Sequence, residues 1–186
     1  MIGYALCGSF CTIEASLNQM QRLVDSGLEI QPIMSEIVYS TNTRFGNCEE
    51  IRKRVEQICG HKIVHTIPAA EPFGPSIKLD ALVIAPCTGN TLAKLALGIT
   101  DTPVCMAAKA HLRNDRPVVI ALASNDALSA NLKNIATLLM RKNIYFVPMM
   151  QDDPEKKPHS LVADFEELPR TLELALKGKS VNKVII

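Results

Sequence analysis

Short apolar runs separated by amphipathic helical stretches constrain this chain more than any other feature. Gly3–Cys7, Leu28–Met34, Ala81–Ala85, Val118–Leu122 and Ile144–Pro148 read as strands, and Lys62–Ile67 as one more. Ala81–Ala85 is apolar throughout, as expected of a strand buried on both faces. Between the strands, Ile13, Leu17, Met20, Leu23 and Val24 recur at helical spacing, and Gly27 closes that helix. Cys48–Cys59 predicts a charged helix ending at Gly60, Pro86–Gly98 a turn and helix, and Thr102–Leu112 and Ala130–Arg141 two more. Asp164–Lys177 reads as a final helix with Pro169 near its start. Strands alternating with helices predict an α/β chain with a doubly wound parallel sheet, three layers in αβα order and right-handed crossovers. No internal repeat is present, and 186 residues suit one domain over residues 1–186. Ser35–Asn47 is polar and irregular, Pro68–Pro75 a shaped loop, and Gln151–His159 a surface loop expected to be flexible near residues 151–160. The tail Val184-Ile185-Ile186 reads as a partner-docking segment or an added strand.

Composition narrows the function classes. Net charge is +1 and aromatic residues make up 4% with no Trp, which argues against nucleic-acid binding. No apolar run approaches the ~20 residues of a membrane span, and the N-terminus lacks a basic leader. The six cysteines are scattered, which fits reduced thiols in the cytoplasm better than a disulfide framework. His61 and His65 fall in a predicted strand with no Cys or His spacing to complete a metal site, so no metal is expected.

In doubly wound folds, ligands meet the carboxyl ends of the strands. Gly8-Ser9-Phe10-Cys11-Thr12 follows the first strand and combines a sharp turn, two hydroxyls and a helix N-terminus, the parts of an anion site for a phosphorylated cofactor. An ordinary capped turn is the alternative. Ser35 and Glu36 follow the second strand, with Ser35 either a ligand contact or a helix N-cap. Pro86 is expected to end the strand ladder, and small residues after it let backbone amides approach a flat ligand. Lys94 lies one helical turn beyond Asn90. Cys87 is either a reactive thiol or a small buried residue. Asn125 and Asp126 follow the fifth apolar strand and either meet a ligand or form an Asx turn.

Pro86-Cys87-Thr88-Gly89-Asn90-Thr91, with Lys94, Ala96, Gly98 and Asp101, resembles the P-A-S-A-N-T-x-x-K-x-A-x-G-x-x-D signature of a flavoprotein superfamily. That superfamily contains phosphopantothenoylcysteine decarboxylase and the peptidyl-cysteine decarboxylases. The Gly8-Ser9 turn resembles its phosphate loop, and Asn125 falls on the asparagine of its P-x-M-N motif. Asn131-Leu132 and Val147-Pro148 continue the parallel over roughly residues 1–150. The resemblance implies a Rossmann-like flavoprotein fold and a homo-oligomer. It also implies FMN held by Gly8, Ser9, Phe10, Thr12, Ser35, Pro86, Cys87, Thr88, Asn90 and Thr91. Two departures stand out: Glu71–Asp80 lacks the histidine the decarboxylases carry there, and Ser124 replaces the methionine of P-x-M-N. Both count against cysteine decarboxylation.

The whole chain is similar to one branch of this superfamily, the B subunits of dipicolinate synthase. The segments that carry this are Cys7–Thr12, Thr43-Arg44-Phe45-Gly46, Ala85–Thr91, Ala107–Arg113 and Pro117–Ala121. That resemblance implies an oxidoreductase subunit working during sporulation with the NADP-binding A subunit of the same synthase. The reaction oxidises a dihydrodipicolinate-type intermediate of the lysine pathway to dipicolinate, pyridine-2,6-dicarboxylate. A dicarboxylate needs cationic and amide partners, so Arg44, Lys94, Asn90 and Asn125 are candidate substrate contacts, with Lys109 and Arg113 as further cations. The alternatives are a stand-alone FMN-dependent decarboxylase or transferase, and a non-catalytic scaffold with a vestigial flavin pocket.

Overall fold

The computed structural model describes residues Met1–Ile186. β1 (Ile2–Leu6) lies between β2 (Ile30–Met34) and β3 (Ala81–Cys87), and β3 pairs with β4 (Val118–Ser124), all parallel. β5 (Ile144–Phe146) pairs parallel with the first half of β4, from Val118–Ile144 to Ile120–Phe146. β6 (Met149–Met150) and β7 (Leu161–Ala163) are antiparallel to each other, and β7 pairs antiparallel with the end of β4 at Ala123 and Ser124. The seven-stranded sheet is therefore mixed, parallel at its centre with an antiparallel edge, rather than parallel throughout. The sequence hides this edge because strands of two and three residues carry no readable period.

Eight helices cover the sheet: α1 (Ile13–Asp25), α2 (Glu36–Ser40), α3 (Cys48–Cys59), α4 (Ile67–Ala70), α5 (Gly89–Leu97), α6 (Pro103–Leu112), α7 (Leu132–Leu139) and α8 (Leu168–Leu176). Strand side chains alternate between two cores, as a pleat requires. Tyr4, Leu6, Val83, Ala85, Val119 and Ala121 pack under α1, α3 and α8. Ala5, Ile84, Ile120 and Leu122 pack under α5, α6 and α7. The first core is pinned by a polar knot. Tyr4 Oη donates to the Ser16 carbonyl (3.0 Å), and Ser16 Oγ donates to the Ala85 carbonyl (2.6 Å).

Two expectations change, and the tail takes one of its two readings. Lys62–Ile67 is not a strand: only Val64 bridges Ile33, and α4 starts at Ile67 with Thr66 as its cap and Pro68 in its first turn. Pro32 on the adjacent stretch of β2 has no N–H to extend a ladder, although its carbonyl accepts from Val64 N (3.0 Å). Pro86 does not end its strand either. β3 runs on to Cys87, the register with β4 shifts between Ile84 and Cys87, and the Pro86 carbonyl still accepts from Cys7 N (3.1 Å). The Ala85–Pro86 peptide is cis. The tail adds to the sheet edge, with Met149 N donating to the Val184 carbonyl (2.8 Å) and Ile186 N to the Met149 carbonyl (3.0 Å).

His111 on α6 is 1% exposed, and its Nε2 lies 3.0 Å from the Pro117 carbonyl. Burial lowers its pKa below the usual imidazole value, so the ring is neutral and donates from Nε2. A depressed native pKa means that the unfolded chain binds the proton first. The stability it protects is therefore complete above about pH 6.5 and is lost as pH falls through the lower native value. The urea midpoint of the wild-type chain should fall over that window and that of His111→Gln should fall less. Equal slopes would remove His111 as the cause.

Candidate functional site

The chain order β2-β1-β3-β4-β5 places a switch point between β1 and β3. After β1 the chain turns to α1 on one face, and after β3 it turns to α5 on the other. A crevice is left where the two turns part, and ligands of doubly wound sheets sit there. Gly8, from the first turn, and Thr88, from the second, line two cavities that open on either side of them.

The smaller cavity, about 350 Å³, is lined by Cys7, Gly8, Ser35, Glu36, Ile37, Thr88, Asn90, Thr91 and Thr102. Thr88 caps α5 by accepting from Thr91 N (3.3 Å), and its hydroxyl donates to Thr91 Oγ1 (3.2 Å). Thr91 Oγ1 in turn donates to Cys7 Sγ (3.4 Å). Ser35 stands at the N-cap position of α2 but makes no capping bond. Its Oγ is the single buried side-chain polar atom in the chain with no hydrogen-bond partner. A buried hydroxyl without a partner is costly, so an acceptor or donor from outside the chain is the natural complement. The Gly8 N–H likewise finds no acceptor within the chain.

The larger cavity, about 720 Å³, is walled by Gly8, Ser9, Phe10, Cys11, Arg44, Phe45, Thr88, Gly89, Ala123, Ser124, Asn125, Asp126 and Lys157. Thr12 shapes its turn from behind, donating to the Ser9 carbonyl (2.9 Å) and Ser9 Oγ (3.1 Å). Asp126 is held on both oxygens: Ser124 Oγ donates to one and Asn131 Nδ2 to the other (2.8 Å). Asn134 Nδ2 supports Asn131 (2.8 Å). This cluster lies so close to α5 that a Cβ on Gly89 would come within 2.4 Å of Ser124 Oγ and 2.6 Å of Asn131 Nδ2.

The structure thus brings Gly8, Ser9, Phe10, Ser35, Thr88, Asn90, Thr91, Arg44 and Asn125 to one crevice, with Thr12 behind it. Pro86 and Cys87 lie beneath, inside β3. Lys94 is not on the walls: it pairs with Asp101 (2.8 Å), a second residue of the sequence signature. Lys109 and Arg113 line a different cavity with Glu71. His65 stacks on Tyr39 with ring centroids 3.6 Å apart, and His61 pairs with Glu29 (3.2 Å). Sequence reasoning did not single out Thr102, Phe45 or Lys157 as wall residues. Lys157 reaches the cavity through the β6–β7 turn, which no periodicity announces.

Cys87 is wholly buried, and desolvation pushes its thiol well above the ordinary value; Cys7 is pushed up to about 12 for the same reason. Neither supplies a thiolate at neutral pH. Cys11 is the exposed cysteine and sits on the larger cavity's wall. Iodoacetamide at about pH 8, near the ordinary thiol pKa, should modify Cys11 first and leave Cys7, Cys87 and Cys105 intact until denaturant is added, as read by peptide mass mapping. Early labelling of Cys87 would contradict this burial.

The chain belongs to the Flavoprotein family, whose model matches residues 1–167. It is 48% identical over 185 residues to the dipicolinate synthase B subunit of Bacillus subtilis (strain 168), covering 100% of this chain and 92% of that protein. The crystal structure of the dipicolinate synthase B subunit from Bacillus halodurans C superposes with a TM-score of 0.91 at 48% identity, covering 100% of this chain and 95% of that one. The FMN-dependent cysteine decarboxylase SpaF shares the fold, with a TM-score of 0.71 at 23% identity over 95% of this chain and 94% of that one. The resemblance to dipicolinate synthase B subunits therefore runs the full length of the chain. No helix is long and apolar enough to cross a membrane.

Proposed function

We propose that this chain is the FMN-holding B subunit of a dipicolinate synthase. Together with the NADP-binding A subunit, it would oxidise a dihydrodipicolinate-type ring to dipicolinate in the cytoplasm of a sporulating cell. The observation that carries the cofactor reading is Ser35 Oγ, buried and unpartnered on the wall of a hydroxyl-rich crevice. The donor set fits a phosphorylated flavin. The Gly8 N–H and the Ser35 hydroxyl offer unpartnered donors for a phosphate and a polyol chain, and the wider cavity beside Phe10 and Asn125 has room for a flat ring. The dipicolinate reading rests on full-length similarity to proteins of that name.

The reaction removes a hydride, which carries both electrons, and a proton from a partly reduced ring and leaves it aromatic; the hydride ends on the partner's NADP and the proton goes to solvent. Bound FMN supplies a two-electron acceptor. The chain's own contribution is to hold and orient. Thr12 and Thr88 fix the two turns, Asn90 and Asn125 present amides that both donate and accept, and Arg44 brings positive charge to a dianionic ligand. The buried thiols of Cys7 and Cys87 stay protonated at neutral pH, so neither acts as nucleophile or base here. An assembled homo-oligomer, as in the dodecameric FMN-dependent relative from Escherichia coli O157:H7, is part of this reading.

Two measurements test it. Dipicolinate formation, followed by its ultraviolet absorbance, should require this chain, FMN and the NADP-binding subunit together. Full activity of the NADP-binding protein without this chain would end the proposal. In Ser35→Ala, FMN affinity should fall about tenfold, while stability without FMN stays level or rises by about 1 kcal/mol, because an unpaired buried hydroxyl is removed. Unchanged FMN affinity would take Ser35 out of the site.

A further inference from the structure

Two cations from distant parts of the chain meet at the larger cavity. Arg44 comes from the loop after α2 and Lys157 from the turn between β6 and β7. The Arg44 guanidinium lies 4.7 Å from the centre of the Phe45 ring and pairs with no carboxylate, so its N–H fork is free for an anion. Lys157 is held differently. Its Nζ sits 2.6 Å from Asp152 Oδ2, which uses one of three ammonium donors and leaves two. The turn that carries it is tied down by Lys157 N donating to the Asp153 carbonyl (2.7 Å) and Gln151 Nε2 to the Pro158 carbonyl (2.9 Å). That turn is docked on the loop of Asn125. Leu128 N donates to the His159 carbonyl (2.9 Å), and the buried Ser160 Oγ lies 3.5 Å from Asn125 Oδ1. The one carboxylate on the cavity wall, Asp126, is already bonded on both oxygens. The wall therefore offers an unpaired guanidinium, an ammonium with two donors left beside its Asp152 partner and an amide, three anchor points that suit two carboxylates fixed on one ring.

We infer that Arg44 and Lys157 form a two-point clamp that takes one carboxylate each of a ring dicarboxylate, and that Lys157 selects dicarboxylates over monocarboxylates. This rests on the dipicolinate reading above and adds a specificity residue to it.

The test titrates the chain, supplied with FMN and the NADP-binding subunit, with pyridine-2,6-dicarboxylate and with pyridine-2-carboxylate by calorimetry. The wild type should prefer the dicarboxylate by about tenfold or more. Lys157→Gln should lose that preference, with monocarboxylate binding within about twofold of wild type, and Lys157→Arg should retain it. FMN uptake and melting temperature should be the same in all three proteins. Dicarboxylate binding unchanged in Lys157→Gln would overturn the clamp and leave the proposed function standing. Equal loss of both ligands, or loss of FMN uptake, would also overturn it, because Lys157 would then act on the site generally. A wild type that binds neither pyridine carboxylate would sink the dipicolinate reading along with the clamp.

Discussion

The site depends on one pairing: β1 beside β3, both parallel, in register from Ile2–Ala81 to Ala5–Ile84. Parallel strands send their carboxyl ends to the same edge of the sheet, and the chain leaves these two in opposite directions. Backbone and hydroxyl groups after β1 and β3 are then brought together without a dedicated structure to hold them. The pairing is itself stitched to the layer above. Tyr4 of β1 and Ala85 of β3 are both hydrogen-bonded to Ser16 of α1, so the helix that follows the first turn is fixed to the strand that precedes the second. An unsatisfied polar group here would cost about 1–3 kcal/mol, and the three groups satisfy one another instead. Cys7 N bonding to the Pro86 carbonyl carries the same contact to the threshold of the crevice.

A rigid frame of this kind allows the crevice to hold an unpaired group. Ser35 follows β2, the strand on the far side of β1, and its neighbour Met34 is anchored by the Val64 carbonyl (2.9 Å) while Ser35 N donates to the Leu6 carbonyl (3.0 Å). With its backbone pinned in this way, the Ser35 hydroxyl is buried without a protein partner. The fold bears the cost of this orphaned donor, which the ligand of the proposed function would relieve.

What could be read from the sequence follows from the length of its signals. β1, β3 and β4 are legible because buried parallel strands are nearly all apolar, and α1, α3 and α6 because they carry a helical period or clear end signals such as Gly60 and Thr102. Gly8, Thr88 and Asn90 are legible because they follow those strands directly. The edge was not. Val64 makes one bridge, β6 has two residues, β7 three, and the tail makes one bridge. Such contacts are set by what the rest of the sheet leaves open. Lys157 belongs to that edge, which is why charge and spacing around it reveal nothing, whereas Arg44 stands in a segment recognisable by its neighbours. Lys94 shows the opposite limit: helical spacing puts it one turn from Asn90, but Asp101 turns its ammonium away from the crevice.

Two of the positions at which this chain differs from the flavoprotein signature are neighbours in space. The signature has alanine where this chain has Gly89, and its P-x-M-N motif has methionine where this chain has Ser124. In the fold these positions touch: Ser124 Oγ lies 2.4 Å from where a Cβ on residue 89 would stand. A methyl group there would collide with the serine hydroxyl and with Asn131, both of which hold Asp126. Glycine at position 89 leaves room for this polar cluster between α5 and the loop after β4. That cluster fixes Asn125, next to Asp126, and Asn125 in turn receives the buried Ser160 of the Lys157 turn. Through Asn125 and Ser160 the cluster thus reaches the far wall of the cavity. The wall of the larger cavity is polar and carries Arg44 and Lys157, which suits the charged ring proposed above better than an alkyl thiol.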